Sequence, residues 1–181
     1  MLVVSSKKSK VKIIGGSWKR KNISFYDSDG LRPTLNRVRE TLFNWLGQDL
    51  SNKTCLDLFS GSGILGFESL SRNAQSCILV DNKNSTVLNL SENKNNLRAD
   101  NALIINSSAK IFLENNNKLF DIIFFDPPFT LVGVYPLLSK IKGHLKPQGV
   151  IYFETNKKFS GEEFKILKNS QAGQVYFYLL Q

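Results

Sequence analysis

From Thr54 onward the chain alternates short apolar runs with amphipathic stretches. The runs at 54–58 (TCLDL), 76–80 (SCILV), 102–105 (ALII), 121–125 (DIIFF) and 149–153 (GVIYF) predict strands, and 63–72, 84–97, 108–115 and 134–145 predict helices. The strand runs are apolar throughout rather than alternating, as expected where helices cover both faces of a parallel sheet. Two further strand-like segments, Phe164–Leu167 and Val175–Leu179, close the chain. Ahead of Thr54, residues 11–26 read as two short β segments around Gly15-Gly16, a hairpin, and 27–33 is turn-rich. Thr34 is placed to cap a helix carrying Leu35, Val38, Leu42, Trp45 and Leu46 at helical spacing, and Gly47 ends it. The expected fold is α/β: a doubly wound, Rossmann-like, mainly parallel sheet with a small N-terminal β-hairpin and helix. The expected organisation is one domain over 1–181, with 1–47 as an N-terminal extension and 54–181 as the catalytic α/β core.

Composition narrows the classes. With 181 residues and 41% hydrophobic positions, the chain can bury a core without disulfides. No apolar run approaches the roughly 18 residues of a membrane span, and Leu2-Val3-Val4 is too short for a signal-peptide core. A cytoplasmic protein with no membrane partner is expected, acting as a monomer. Cys55 and Cys77 lack CxxC spacing and sit in apolar runs, so they read as buried free thiols. A single histidine, His144, argues against a metal site.

Charge is unevenly placed. Residues 1–40 carry ten Lys and Arg against Asp27, Asp29 and Glu40, so seven of the nine net positive charges fall there. A basic segment on a near-neutral body suits a polyanion, because clustered cations release counterions from a phosphate backbone. Candidate contacts to a nucleic acid are Lys12, Lys19, Arg20, Lys21, Arg32 and Arg37, with Trp18 available to stack or to anchor the hairpin.

Two strand ends carry the candidate chemistry, since ligands in doubly wound sheets bind outside the carboxyl ends of strands. The first is Leu56-Asp57-Leu58-Phe59-Ser60-Gly61-Ser62-Gly63, where the glycines permit a tight turn that a cofactor can approach closely. With Gly66 the spacing also satisfies GxGxxG, the dinucleotide pattern. Asp57, just before the turn, would repel a pyrophosphate but suits the ammonium and sulfonium of S-adenosylmethionine. Asp81, ending the next strand, is suited to ribose hydroxyls. The second is Asp126-Pro127-Pro128-Phe129. A carboxylate and a stiff carbonyl make an acceptor-only pair, and Phe129 adds a stacking face. That set matches an exocyclic amine on a planar base, whose two N–H groups would be held while its lone pair faces an electrophile.

The chain resembles class I S-adenosylmethionine-dependent methyltransferases of the amino-group type. More closely it resembles the RsmD family, which methylates N2 of a guanine in small-subunit ribosomal RNA. The resemblance is carried by Ile13-Ile14-Gly15-Gly16-Ser17-Trp18, Gly30-Leu31-Arg32-Pro33-Thr34, the run Arg37-Val38-Arg39-Glu40-Thr41-Leu42-Phe43-Asn44-Trp45-Leu46, both strand-end segments, and Ala172-Gly173-Gln174-Val175. It implies that Asp57, Phe59, Gly61, Ser62 and Gly63 surround the methionine end of S-adenosylmethionine and that Asp81 holds the ribose. It implies also that Ser108 and Ala109 stand where such enzymes often carry an acid against the adenine, and that Asp126, Pro127, Pro128 and Phe129 hold the target base. The implied substrate is ribosomal RNA, within an assembled or partly assembled small subunit. The alternatives are another amino methyltransferase (DNA adenine N6 or protein glutamine N5), a nicotinamide-dependent oxidoreductase built on Gly61, Gly63 and Gly66, and a non-catalytic RNA-binding module.

Overall fold

The computed structural model describes residues 8–26 and 33–181. The N-terminal hairpin pairs β1 (Lys8–Lys12) with β2 (Asn22–Tyr26) in antiparallel register, Lys12 opposite Asn22. Helix α1 (Asn36–Leu46) follows. Then β3 (Thr54–Asp57), α2 (Ile64–Ser71), β4 (Ser76–Asp81), α3 (Asn84–Leu97), β5 (Ala102–Asn106), α4 (Ala109–Asn115), β6 (Phe120–Phe125), α5 (Val134–Lys142) and β7 (Leu145–Thr155) alternate. The strands β8 (Ile166–Ala172) and β9 (Val175–Leu180) complete a seven-stranded sheet of order β5-β4-β3-β6-β7-β9-β8.

The first five strands in that order are parallel, and β9 and β8 join antiparallel at one edge. The α/β reading therefore holds. The strand order reverses between β3 and β6, which opens a crevice outside their carboxyl ends.

Successive side chains of each strand enter opposite layers. Cys55, Leu79, Phe124 and Tyr152 pack with residues of α1, α2 and α3, whereas Leu56, Val80, Phe125 and Phe153 pack with α4 and α5. This two-sided burial is why the strands read as continuous apolar runs. The two cysteines are free and buried, and they lie side by side in the β3/β4 register. No helix among the described residues is long and apolar enough to cross a membrane.

Three local expectations are corrected. Thr34 does not cap α1: Leu35 holds the cap position without a side-chain bond, and Thr34 Oγ1 is turned to Asp126 instead. Strand β7 starts at Leu145 rather than Gly149, because a register shift against β6 between Phe120 and Ile122 absorbs Pro147-Gln148, with Gln148 at φ 64°. Strand β8 is the polar stretch Ile166–Ala172 rather than 164–167; as an edge strand it meets one neighbour and needs few apolar residues.

The N-terminal segment is built into the core. Ile13, Ile23, Val38, Leu42 and Phe43 belong to the cluster that holds Phe67 and Leu79. The loop after β1 lies on α2: Ser17 N donates to Ser71 O at 2.7 Å, and Ser71 Oγ donates to Gly15 O at 2.6 Å. A Cβ on Gly16, whose φ is +73°, would stand 1.8 Å from Ser71 O, so only glycine fits this contact. As a result every residue of α2 is buried.

Candidate active site

Strand β3 delivers the chain into the turn Leu58–Gly63. Ser60 N donates to Val80 O at 3.0 Å, Ser60 Oγ to Asp57 O at 2.9 Å, and Gly63 N to Ser60 O at 2.6 Å. Gly61 (φ 48°) and Gly63 (φ 79°) are left-handed. Gly63 also has no room for a side chain, since a Cβ would lie 2.5 Å from Leu90 Cδ2. Ser62 is buried, with its hydroxyl accepting from Ile64 N at 3.3 Å.

The two strand-end acids act on this turn in different ways. Asp81 Oδ2 accepts from Gly61 N at 3.0 Å and Oδ1 from Lys83 N at 2.9 Å, and the residue faces an open cleft. Asp57 is only 2% exposed; its Oδ2 accepts from Gly66 N at 3.0 Å, beneath the start of α2. Burial, reinforced by the Asp81 charge, pushes the Asp57 carboxyl up to about 7 against the pull of the Gly66 N–H.

The cleft measures about 490 Å³ and is lined by Phe59, Asp81, Asn82, Ser108, Ala109 and Lys110 together with Leu131, Pro136, Leu137 and Lys140. It thus brings together Phe59, Asp81, Ser108 and Ala109 from the sequence-derived set. Ser108 Oγ is engaged as the cap of α4, accepting from Ile111 N at 3.3 Å. Leu131, Pro136, Leu137 and Lys140 were not found from the sequence; they lie at or beyond the end of the turn that follows the prolines.

That turn is closed by Leu131 N donating to Pro128 O at 2.8 Å. Asp126 follows the last residue of β6, half-buried, and Phe129 is 50% exposed. A second pocket of about 160 Å³ is lined by Pro127, Pro128, Phe129, Tyr135, Glu154 and Lys157, and it shares Leu131 and Gly133 with the larger cleft. Two buried groups here were not found from the sequence, Tyr152 and Glu154. Glu154 is 6% exposed, and its Oε1 accepts from Tyr152 Oη at 2.5 Å. Burial and the facing Glu154 charge raise the Asp126 carboxyl well above the usual carboxylate range, with the Thr34 hydroxyl, 3.3 Å from Oδ2, acting against them. Burial raises Glu154 too, while the Tyr152 and Thr34 hydroxyls hold it down.

The profile of the family described as Conserved hypothetical protein 95 matches residues 11–181. The chain is 38% identical to Ribosomal RNA small subunit methyltransferase D of Escherichia coli, covering 94% of this chain and 89% of that protein. It is likewise 38% identical to the Haemophilus influenzae protein of the same name, over 96% and 95% of the two chains. The chain belongs to this family. Among solved structures, the Escherichia coli protein yhhF superposes with a TM-score of 0.85 at 35% identity, over 96% of this chain and 98% of that one. The T. thermophilus 16S rRNA N2 methyltransferase RsmC, solved with AdoMet and guanosine, matches with a TM-score of 0.74 over all of this chain and 52% of its own. At 19% identity that match shows a shared fold, the class I methyltransferase fold expected from the sequence.

The RNA-binding candidates divide. Lys12, Lys19, Arg20, Lys21 and Arg37 are exposed. Trp18 is half-buried, with its side chain against the core and its backbone N–H donating to Ser71 Oγ at 2.9 Å, which anchors the hairpin on α2. Arg32 lies outside the described residues.

Proposed function

We propose that this protein transfers a methyl group from S-adenosylmethionine to the exocyclic N2 of a guanine in small-subunit ribosomal RNA. The observation that carries the reading is that Pro127, Pro128 and Phe129, directly after Asp126, line a pocket that shares Leu131 and Gly133 with the large cleft, in a chain 38% identical to a named small-subunit RNA methyltransferase.

The residues present fit S-adenosylmethionine. Asp57, Asp81, Asp126 and Glu154 gather at the carboxyl ends of β3, β4, β6 and β7. That donor set favours a ligand bearing an ammonium and a sulfonium and disfavours a pyrophosphate, which removes support from the nicotinamide reading. Asp81 would hold the ribose hydroxyls, the turn around Gly61 and Gly63 would admit the methionine end beside Phe59, and Ser108 and Ala109 would border the adenine. Asp57 serves from below by fixing the turn to α2. When bound, S-adenosylmethionine supplies an electrophilic methyl group.

The remaining work falls to the chain. The ionised Asp126 carboxylate accepts one N–H of the amine. A proline carbonyl accepts the other, and Pro127 O is the one not already engaged by the turn that Leu131 N closes on Pro128 O. Phe129, half exposed, stacks on the base. Held this way, the nitrogen lone pair points at the methyl, and the positive charge that develops on nitrogen is stabilised by Asp126. The methylated nitrogen then releases its extra proton to Asp126 or water.

A guanine amine must leave its stack to enter this pocket, so the target is unpaired or flipped out. Lys19, Arg20 and Lys21 supply phosphate contacts that offset the cost. The substrate is an assembled or partly assembled small subunit, which presents the base already exposed. Mass spectrometry of nucleosides from the ribosomal RNA of a deletion strain tests the reading: N2-methylguanosine should be lost from one site and restored by the wild-type gene. An unchanged N2-methylguanosine content would reject it.

A further inference from the structure

We propose that Glu154 is a specificity-determining residue of the base pocket, accepting the N1–H of the target guanine while Asp126 accepts from its N2 amine. The inference rests on the guanine-N2 reading above and adds the group that tells guanine from other amine-bearing bases.

Four observations carry it. In the β6/β7 register Phe125 stands opposite Phe153, so Asp126 and Glu154 are the next residues out on neighbouring strands, about 5 Å apart along the backbone. Glu154 lines the same pocket as Pro127, Pro128 and Phe129. One oxygen of Glu154 is fixed by Tyr152 Oη at 2.5 Å, which orients the carboxylate and leaves its other oxygen as an acceptor. Thr34 Oγ1 donates to Asp126 Oδ2 at 3.3 Å, and the same hydroxyl helps hold the Glu154 carboxyl down, so it stands beside both acids.

Two acids side by side, Glu154 buried and Asp126 half-buried, repel each other and need donors. Guanine presents N1–H and the N2 amine on one edge, a row of donors that meets both carboxylates. A base that carries the amine but has a lone pair at N1 would set that lone pair against Glu154. Removing the one hydrogen bond a site is built to receive commonly costs orders of magnitude in selectivity, because a buried acceptor is left unpaired.

The test uses small subunits reconstituted with ribosomal RNA carrying guanine or 2,6-diaminopurine at the methylated position. The second base keeps the N2 amine and replaces N1–H by a lone pair. Wild type should prefer guanine on the order of 100-fold in kcat/KM. In Glu154→Gln, whose amide can donate to N1, that preference should fall at least about tenfold, through a gain on diaminopurine as well as a loss on guanine. Glu154→Asp, which keeps the charge but shortens its reach, should lower guanine transfer more than diaminopurine transfer, so that the ratio falls here too. A residue that merely supports Asp126 would lower both substrates by one factor, and an unchanged ratio in both variants overturns the inference while leaving the N2 reading intact. Wild type that uses the two bases equally overturns it as well. Wild type that methylates neither rejects the N2 reading and this inference together.

Discussion

Arg39 Nη1 and Glu68 Oε2 lie 2.5 Å apart, both fully buried, and join the N-terminal helix to α2. Glu68 also receives Arg72 Nη2 at 3.0 Å and Ile14 N at 3.2 Å, while Arg39 reaches the carbonyls of Lys12 and Thr34. This single acid therefore gathers β1's exit, α1 and its own helix. Burial, and after it the neighbouring Arg72 charge, draws the Arg39 guanidinium down, and the Glu68 carboxylate opposes that shift.

Glu68→Ala should consequently destabilise the protein by about 3–5 kcal/mol, since it leaves two buried guanidinium groups without their shared partner. Urea unfolding checks this. Glu40→Ala, on the exposed side of α1, is the control and should cost less than about 0.5 kcal/mol.

Asp126→Ala should abolish methyl transfer, with a loss on the order of 100-fold or more in turnover and little change in S-adenosylmethionine affinity. Phe129→Ala should raise KM for the RNA, and Phe129→Tyr should retain much of the activity. Single-turnover kinetics together with calorimetric cofactor titration separate the effects.

The raised acids of the base pocket set a pH dependence. Transfer needs Asp126 ionised, and a carboxyl raised above its usual range becomes ionised only at higher pH. The rate should therefore climb with pH through an ionisation above that of an ordinary carboxylate. Removing the facing charge in Glu154→Gln should move the ionisation down. A pH profile of single-turnover rates reads both.

Asp57 makes an opposite contribution to stability. Its folded pKa of about 7 exceeds the usual carboxylate value, so between about 4 and 7 the folded state holds more protons than the unfolded one. Stability should fall as pH rises across that window, and Asp57→Asn should flatten the fall. S-adenosylmethionine and its demethylated product should raise Tm at pH 7.5, and NAD should not. Thermal melts over a pH series measure both effects.

Replacing Lys19, Arg20 and Lys21 together by Gln should leave cofactor binding intact and weaken RNA binding. The salt dependence should flatten by roughly 0.7 per lost phosphate contact on single-stranded RNA. Binding isotherms at several salt concentrations test this, and an unchanged slope would mean that these charges only face solvent.

The sequence by itself determined the layering of the fold and the places where chemistry collects. Apolar runs such as Asp121–Phe125 can only be strands covered on both faces, and the helix at 84–97 appears with the predicted bounds. The glycine turn, Asp81 and Asp126-Pro127-Pro128-Phe129 stand at strand ends because local residue types force the chain to turn there. Three features waited for the tertiary structure. Nothing in the polar letters of Glu68, Ser69 and Ser71 marks α2 as buried on all sides; the hairpin that covers them arrives from more than 50 residues away. Thr34 reads as a helix cap until its hydroxyl is found on Asp126, 92 residues on. Glu154 reads as one acid at the end of an apolar strand. It joins the site only because β7 pairs with β6 in a register that sets it beside Asp126, and such pairing depends on long-range packing that no local window of residues encodes.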